Sequence, residues 1–162
     1  MLEATITILE YLGITSVVVL IGTYLAFLGL LPEIAIEGVV DKSNVLNSES
    51  KLVVRNMGKL KAHAIRADVE DFNLYVNTNR FTNCSAFGGP DVAARLSSGE
   101  SSEISISPGI NFGAGARIDE FDYKLTLHYY AKLLFYKKTF SKTWKVELKN
   151  RADGFHWEIK II

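Results

Sequence analysis

Three histidines and a single cysteine are the first candidates in this chain for metal binding or nucleophilic catalysis. His128 and His156 occupy polar positions of alternating segments, and with Glu158 or Asp122 they would offer nitrogen and oxygen ligands to a metal ion. No local ligand spacing holds these residues together, however. We therefore expect neither a metal ion nor any other cofactor.

The remaining reactive groups also lack the partners that catalysis requires. Cys84 has no recognisable base or orienting group, and a lone cysteine excludes both an intrachain disulfide and a cysteine-rich zinc site. The glycine-rich stretch 112–116 lacks the Lys-Ser/Thr pair of a phosphate loop. His63 shares a predicted strand face with Ile65, which indicates a core histidine. The sequence thus predicts that the protein is not an enzyme.

The strongest positive feature is segment 129–151, in which lysines alternate with aromatic residues and Glu147 is the lone acid. We expect a hairpin that turns near 131–135, with one face in the core and the other presenting lysines. The candidate binding residues are Lys132, Tyr136, Lys137, Lys138, Lys142, Trp144 and Lys145.

Three interpretations of this segment are open. Lysines on an edge strand oppose aggregation between sheets, so the favoured interpretation is an edge hairpin that its lysines protect. A basic surface also binds anionic lipid headgroups, which is the second interpretation. Single-stranded nucleic acid, held by charge and stacking, is the least favoured of the three.

The element before this domain is an apolar run over residues 11–31 that contains no charge. About 20 helical residues cross the roughly 30 Å hydrocarbon core, so the run predicts one transmembrane helix. Pro32 disfavours helical geometry at the preceding residue and ends the helix. No basic residue precedes the run and no small-residue cleavage site follows it, so we expect residues 1–32 to form a permanent anchor rather than a signal peptide.

The basic residues near the span indicate its orientation. None precedes it, whereas Lys42, Lys51, Arg55, Lys59 and Lys61 follow it. Basic residues favour the cytoplasmic side, so we expect a cytoplasmic domain, with an exported domain as the alternative.

Beyond Pro32 the apolar residues recur with a period of two, which is typical of antiparallel strands packed on one face. Turn residues separate these segments, and the pattern predicts an all-β, immunoglobulin-like antiparallel β-sandwich over residues 33–162. We expect a long connection or a weak edge strand over 73–91. The predicted strands are 34–40, 50–56, 62–72, 92–97, 102–107, 121–130, 136–148 and 155–161.

Two turn motifs carry a resemblance to a known class of domain. Asn56-Met57-Gly58, with the strand that follows it, resembles a hairpin of bacterial and archaeal immunoglobulin-like modules, including CARDB-type domains. The segment from Leu96 through Gly99-Glu100-Ser101 is similar to a second turn of those modules. The resemblance implies a membrane-anchored sandwich of the kind found in many small proteins of unassigned function.

Together these features predict a single-pass membrane protein whose sandwich is a non-catalytic binding or scaffolding module for a protein partner. Binding of anionic lipid or another polyanion through 129–151 is one alternative, and a pilin-like subunit of a surface assembly is another. Gly22, Ala26 and Gly29 bring small residues near one helical face, which would allow homo-oligomers to form through the helix.

Overall fold

The computed structural model describes residues 2–39, 51–84, 86–87, 91–104, 107–108, 118–133, 136–151 and 154–162. The chain divides into two compact units, Met1–Leu31 and Pro32–Ile162. Its elements are the helix α1 (Leu2–Leu30) and the strands β1 (Ile34–Val39), β2 (Lys51–Asn56), β3 (Ala62–Val76), β4 (Asn79–Phe81), β5 (Ala86–Phe87), β6 (Asp91–Leu96), β7 (Ser101–Ile104), β8 (Ser107–Pro108), β9 (Ile118–Leu133), β10 (Tyr136–Arg151) and β11 (Gly154–Ile161).

Helix α1 forms the first unit. Its stretch Gly13–Leu30 is long and apolar enough to cross a membrane. Large apolar side chains along this stretch are exposed, among them Ile14 at 65% and Leu20 at 69%. In length and composition the stretch thus meets the requirements of a membrane-spanning helix.

The second unit consists of antiparallel strands. One sheet has the order β1-β2-β7, and a second has the order β11-β10-β9-β3-β4, with β6 also paired to β3. β5 and β8 form a separate pair. The eight predicted strands overlap β1, β2, β3, β6, β7, β9, β10 and β11. Residues 40, 50 and 105–106 of these predictions lie outside the described part, and residue 107 of the fifth belongs to β8. The prediction of an all-β architecture behind one apolar helix is therefore confirmed.

The two larger sheets bury a single hydrophobic core between them, which makes the unit a sandwich. Alternation places every second side chain of each strand on this inner face. The three-stranded sheet contributes Ile34, Leu52 and Val54 to this core. The six-stranded sheet contributes, among others, Leu125, Leu127 and Val146.

One margin of the sandwich is closed by a tryptophan that lies over a glycine. A Cβ atom at Gly38 in β1 would lie 2.1 Å from Cγ of Trp157 in β11, so only glycine admits the indole here. Nε1 of Trp157 donates a hydrogen bond to the carbonyl oxygen of Val39, 3.3 Å away. This packing holds an edge of each sheet together.

Strand β3 departs from the predicted alternation because it contains irregular positions. Ala64 and Asp71 have positive φ angles of 47° and 54°, and the pairing of β3 with β9 shifts register near both. An extra residue at a β-bulge moves its neighbours to the other face. The prediction that His63 shares the core face with Ile65 is therefore wrong: His63 is half-buried, whereas Ile65 is 1% exposed.

Within the segment 73–91, the structure describes residues 73–84, 86–87 and 91. β3 continues to Val76, and a two-residue turn leads directly into β4. Both turn residues, Asn77 and Thr78, have positive φ (46° and 70°), which matches the turn that suits the twist of a tight hairpin. β4 lies at the edge of its sheet and has only three residues, all exposed, so it matches the weak edge strand that was one of the two predicted alternatives.

The two turn motifs noted in the sequence pack on one another through Asn56, which is fully buried. Its Nδ2 donates to the carbonyl oxygens of Leu60 and Leu96 at 2.8 and 3.0 Å, and its Oδ1 accepts from the Gly58 amide at 3.0 Å. Its backbone carbonyl accepts from the Gly99 amide at 2.8 Å. Because the buried side-chain amide of Asn56 has its hydrogen-bond partners in both turns, it holds the two turns together at one end of the sandwich.

Candidate functional site

The candidate binding residues all lie on the β9–β10 hairpin, but in two different environments. Trp144 and Lys145 lie where β10 is flanked by β9 on one side and by β11 on the other. Lys132, Tyr136, Lys137, Lys138 and Lys142 lie toward the turn, beyond the last residues of β11. Residues 134–135 of the predicted turn are outside the described part.

Trp144 is not a surface residue. Its side chain is 3% exposed and belongs to the hydrophobic core. Trp144 alternates in phase with Val146 and Leu148, so its side chain lies on the inner face of the sheet. The sequence-based assignment of Trp144 to a binding surface is therefore wrong.

Lys145 lies on the outer face, where acids neutralise the basic residues. Its Nζ is 2.5 Å from Oε1 of Glu147, and Lys149 Nζ is 2.5 Å from Oε2 of the same carboxylate. Hydrogen bonds from these two lysines lower the pKa of Glu147 to about 2. Glu158 of β11 adds a second carboxylate, 3.3 Å from Lys149 and 2.5 Å from Arg151.

This network corrects the expectation of a one-sided lysine face with a lone acid. Glu158 comes from a neighbouring strand, as does Glu120 of β9, which is 3.9 Å from Lys149. Further along the outer face, Lys124 pairs with Asp71 of β3 at 2.6 Å. The outer face of the six-stranded sheet is thus a mixed-charge surface.

Toward the turn, the lysines lie on aromatic rings instead. Lys137 Nζ is 4.3 Å from the centroid of Tyr130, and Lys138 Nζ is 5.5 Å from that of Phe140. Phe140 in turn stacks on Tyr129 at 5.1 Å. A cation above an aromatic face is attracted to the ring, which leaves the ammonium group available to a second partner.

No carboxylate of the described residues pairs with the lysines of this region, which are Lys132, Lys137, Lys138 and Lys142. The sequence explains this, since no Asp or Glu occurs in 123–146. Lys132 and Lys137 even face one another across the strands, an unfavourable pairing of like charges. The region therefore keeps a net positive charge.

The hairpin projects from one end of the sandwich. Ile161, the last residue of β11, is opposite Trp144, and His63 near the start of β3 is opposite Tyr130. Among the described residues, 131–133 and 136–138 pair only with one another. At about 3.4 Å per residue, the strands extend about 10 Å past Tyr130. This two-stranded extension carries lysines on both of its faces.

The chain begins the sandwich at this same end, which we call the Glu33 end. The Met57 amide donates to the carbonyl oxygen of Glu33 at 2.7 Å, and Ile34 is opposite Asn56 in the sheet. Burial raises the pKa of Tyr129, and the nearby charge of Glu33 raises it further. Glu33 and the start of the projecting hairpin are therefore neighbours.

Three further basic residues are exposed at the Glu33 end, and the sequence reading did not select them for a site. Lys59 and Lys61 belong to the turn ordered by Asn56, and Arg95 is opposite His63. Arg95 and Lys61 both lie close enough to Glu100 to favour its ionised form, and the hydrogen bond from the Ser97 amide lowers its pKa most. Lys59, Lys61 and Arg95 are distant in sequence from 129–151, so the sequence does not indicate that they lie near the hairpin.

The histidines do not come together. His128 is opposite Ser141 and His156 is opposite Lys149, which places them about 26 Å apart along β10. His128 Nε2 instead lies 3.1 Å from Oδ2 of Asp68. Within the described ranges, no group of three or more potential ligands could hold a metal ion.

The other reactive groups noted in the sequence also have structural surroundings. His63 stacks on Tyr130, with ring centroids 5.2 Å apart. Cys84 is half-buried against the core, and its amide donates to the Phe72 carbonyl at 2.8 Å. The stretch 112–116 and the residue after Cys84 lie outside the described part.

Comparison of the chain with protein-family models, with curated proteins and with solved structures finds no match. The geometry of this chain is therefore the basis for its functional interpretation.

Proposed function

We propose that this protein is a single-pass membrane protein whose β-sandwich is a non-catalytic binding or scaffolding module for a protein partner, akin to CARDB-type modules. The observation that carries the proposal is the short connection between the two units. Residues 31–33 alone separate α1 from β1, and hydrogen bonding within the sandwich already begins at Glu33. Three residues span at most about 10 Å, so the tether keeps the module close to the bilayer.

Tethering supports a binding role because it raises the effective concentration of a module near its partners. The mixed-charge outer face of the six-stranded sheet also suits recognition of a folded protein, since paired charges set orientation and specificity. The separation of His128 from His156 supports a non-catalytic role, because a general acid and base must meet at one substrate.

Membrane extraction tests the anchor. We expect the full-length chain to stay in the membrane fraction after an alkaline carbonate wash. Val18→Arg combined with Leu20→Arg places two charges in the apolar stretch and releases the protein into the soluble fraction. Release of the unsubstituted chain by carbonate would contradict the proposed anchor.

Photo-crosslinking in cells tests the protein partner. A crosslinking amino acid at exposed Lys160 is expected to trap one discrete partner, whereas the same group at buried Leu125 traps none. The absence of any discrete adduct from exposed positions on either sheet would count against a protein-binding module.

The side of the membrane is tested by labelling a cysteine at position 160 in a Cys84→Ser background. The lysine distribution predicts a cytoplasmic domain. A membrane-impermeant maleimide should then label Lys160→Cys only after the cells are opened. Labelling in intact cells would show an exported domain.

A further inference from the structure

The Glu33 end of the sandwich is a basic surface assembled from three separate parts of the chain. The turn after β2, the end of β6 and the projecting hairpin all meet there, through the hydrogen bonds of Asn56 and the pairing of His63 with Tyr130. Its exposed or half-exposed basic residues are Lys59, Lys61, Arg95, Lys132, Lys137 and Lys138.

The acids of this end do not cancel that charge. The described acids here are Glu33 and Glu100, both exposed. The six basic residues outnumber these two carboxylates, so the surface keeps a net positive charge. On the outer face of the six-stranded sheet, by contrast, Lys124, Lys145 and Lys149 have carboxylate partners.

The reach of the hairpin matches the length of the tether. The strands of the hairpin project about 10 Å beyond Tyr130, and residues 31–33 span at most about 10 Å between α1 and the sandwich. A bilayer that holds α1 would therefore lie within reach of the projecting lysines. Tyr136 and Met57, 48% and 57% exposed, add amphipathic and apolar side chains of the kind that settle at a lipid interface.

We propose that the Glu33 end of the sandwich rests on the anionic headgroups of the bilayer that its own helix crosses. Lys132, Lys137 and Lys138 pair with headgroup phosphates, and Lys59 and Lys61 extend the contact. The contact fixes the tilt of the sandwich over the membrane and leaves the outer face of the six-stranded sheet open. The inference rests on the proposed function, since it requires the helix to be in the membrane.

A protein strand added to the free edge of β10 is the weaker interpretation of the same hairpin. That edge carries Lys138 and Lys142, and lysine on an edge strand opposes the pairing of another strand. Binding to lipid phosphates requires no pairing with the backbone of β10, so the lysines favour it rather than oppose it.

The test uses the full-length chain in lipid nanodiscs. A fluorophore on Thr139→Cys, in a Cys84→Ser background, reports contact through quenching by a nitroxide on the lipid headgroup. We expect strong quenching in discs with about one part phosphatidylglycerol to three parts phosphatidylcholine, and weak quenching in phosphatidylcholine alone. Quenching should fall in about 1 M salt, which screens headgroup charge.

The decisive variant replaces Lys132, Lys137 and Lys138 together by Gln. Each lysine near an anionic surface contributes about fivefold to the contact equilibrium, so the triple variant should weaken it about 100-fold and abolish the quenching. The matched control replaces Lys51, Lys124 and Lys145 by Gln, which changes the net charge equally at lysines that pair with acids. We expect this control to keep its quenching.

Equal quenching in the two lipid compositions, or equal loss in both triple variants, would overturn the inference. So would quenching that survives high salt. Failure of the anchor is recognised separately, because a chain whose helix does not enter lipid would not be incorporated into the discs at all.

Discussion

The two halves of the β9–β10 hairpin use the same residue type in different ways. In the half embedded in the six-stranded sheet, Lys145 and Lys149 share the carboxylate of Glu147. In the projecting half, Lys137 and Lys138 lie over the rings of Tyr130 and Phe140. The embedded lysines are part of the stability of the sheet, whereas the projecting lysines keep their charge for an external partner.

The difference follows from the number of neighbouring strands. Next to the embedded half, β3 and β11 bring Asp71 and Glu158 within reach of lysines on β9 and β10. The projecting half extends beyond β11 and the start of β3, and the contacts of Lys137 and Lys138 with the described residues are to aromatic rings. The strands on either side of a lysine thus determine whether it has a carboxylate partner.

The largest effect is expected from Trp144→Ala in the embedded half. Removal of a buried tryptophan leaves a cavity in the core, so the free energy of unfolding should fall by about 3–5 kcal/mol. Tyr136→Ala in the projecting half removes an exposed ring and should change it by less than about 0.5 kcal/mol. Urea denaturation of both variants measures the difference. Similar losses in the two would show that the projecting half is also part of the core.

The next largest effect is the pH dependence of Glu147. Its pKa is about 2 in the folded protein, below the ordinary value of 4.5, so its stabilising contribution is present above pH 4.5 and is lost as the pH falls toward 2. Because the network is partly screened by solvent, we expect Glu147→Gln to cost about 1–2 kcal/mol at neutral pH. The variant should lose less stability than the parent on acidification. A parallel pH profile for both proteins would contradict the role of this carboxylate.

A smaller effect, of opposite sign, is expected at Tyr123. This residue is 1% exposed, and its hydroxyl has no hydrogen-bond partner among the described residues. Removing a buried polar group that makes no hydrogen bond relieves its desolvation cost, so Tyr123→Phe should raise stability by up to about 1 kcal/mol.

The same residue predicts an alkaline effect. Burial raises the pKa of Tyr123 well above its ordinary value of 10, so unfolding is favoured as the pH rises past the unfolded pKa. The advantage of Tyr123→Phe should therefore grow above about pH 10. Thermal denaturation at neutral and alkaline pH measures both effects, and a less stable variant at neutral pH would indicate a hydroxyl with a partner.

The smallest effect is expected at the projecting lysines themselves. Lys137→Gln removes one exposed cation–π contact with Tyr130 and should cost no more than about 0.5 kcal/mol. It also relieves the like-charge pair with Lys132, which offsets part of that loss. A loss above about 2 kcal/mol in urea denaturation would place Lys137 among the structural residues, against the contrast drawn above.

Much of the fold could be predicted because the signals are local. The alternation of Tyr123, Leu125 and Leu127 with polar residues marks a strand with one buried face, and all three are indeed in the core. Asn56 marks a turn, and the structure adds that its amide joins two turns distant in sequence. The bulge at Ala64 escaped prediction, because a positive φ at alanine depends on the pairing of β3 with β6 and β9 rather than on its neighbours in sequence.

The candidate site was predicted in part for the same reason. The composition of segment 129–151 predicts the β9–β10 hairpin, but it does not divide the lysines into those with and those without carboxylate partners. Alternation with Val146 and Leu148 is the signal that assigns Trp144 to the inner face. The pairing of Lys149 with Glu158 was not predictable, because it depends on strand order and register.

An apolar helix followed by strands with one apolar face could be inferred from the amino-acid sequence, because both patterns lie in consecutive residues. The carboxylate partners of Lys124 and Lys149, and the meeting of Lys59, Lys61 and Arg95 with the hairpin at the Glu33 end, depend on the folded arrangement of the strands. Side-chain charges interact over a few ångströms, and a β-sandwich brings strands from distant parts of the chain within that distance.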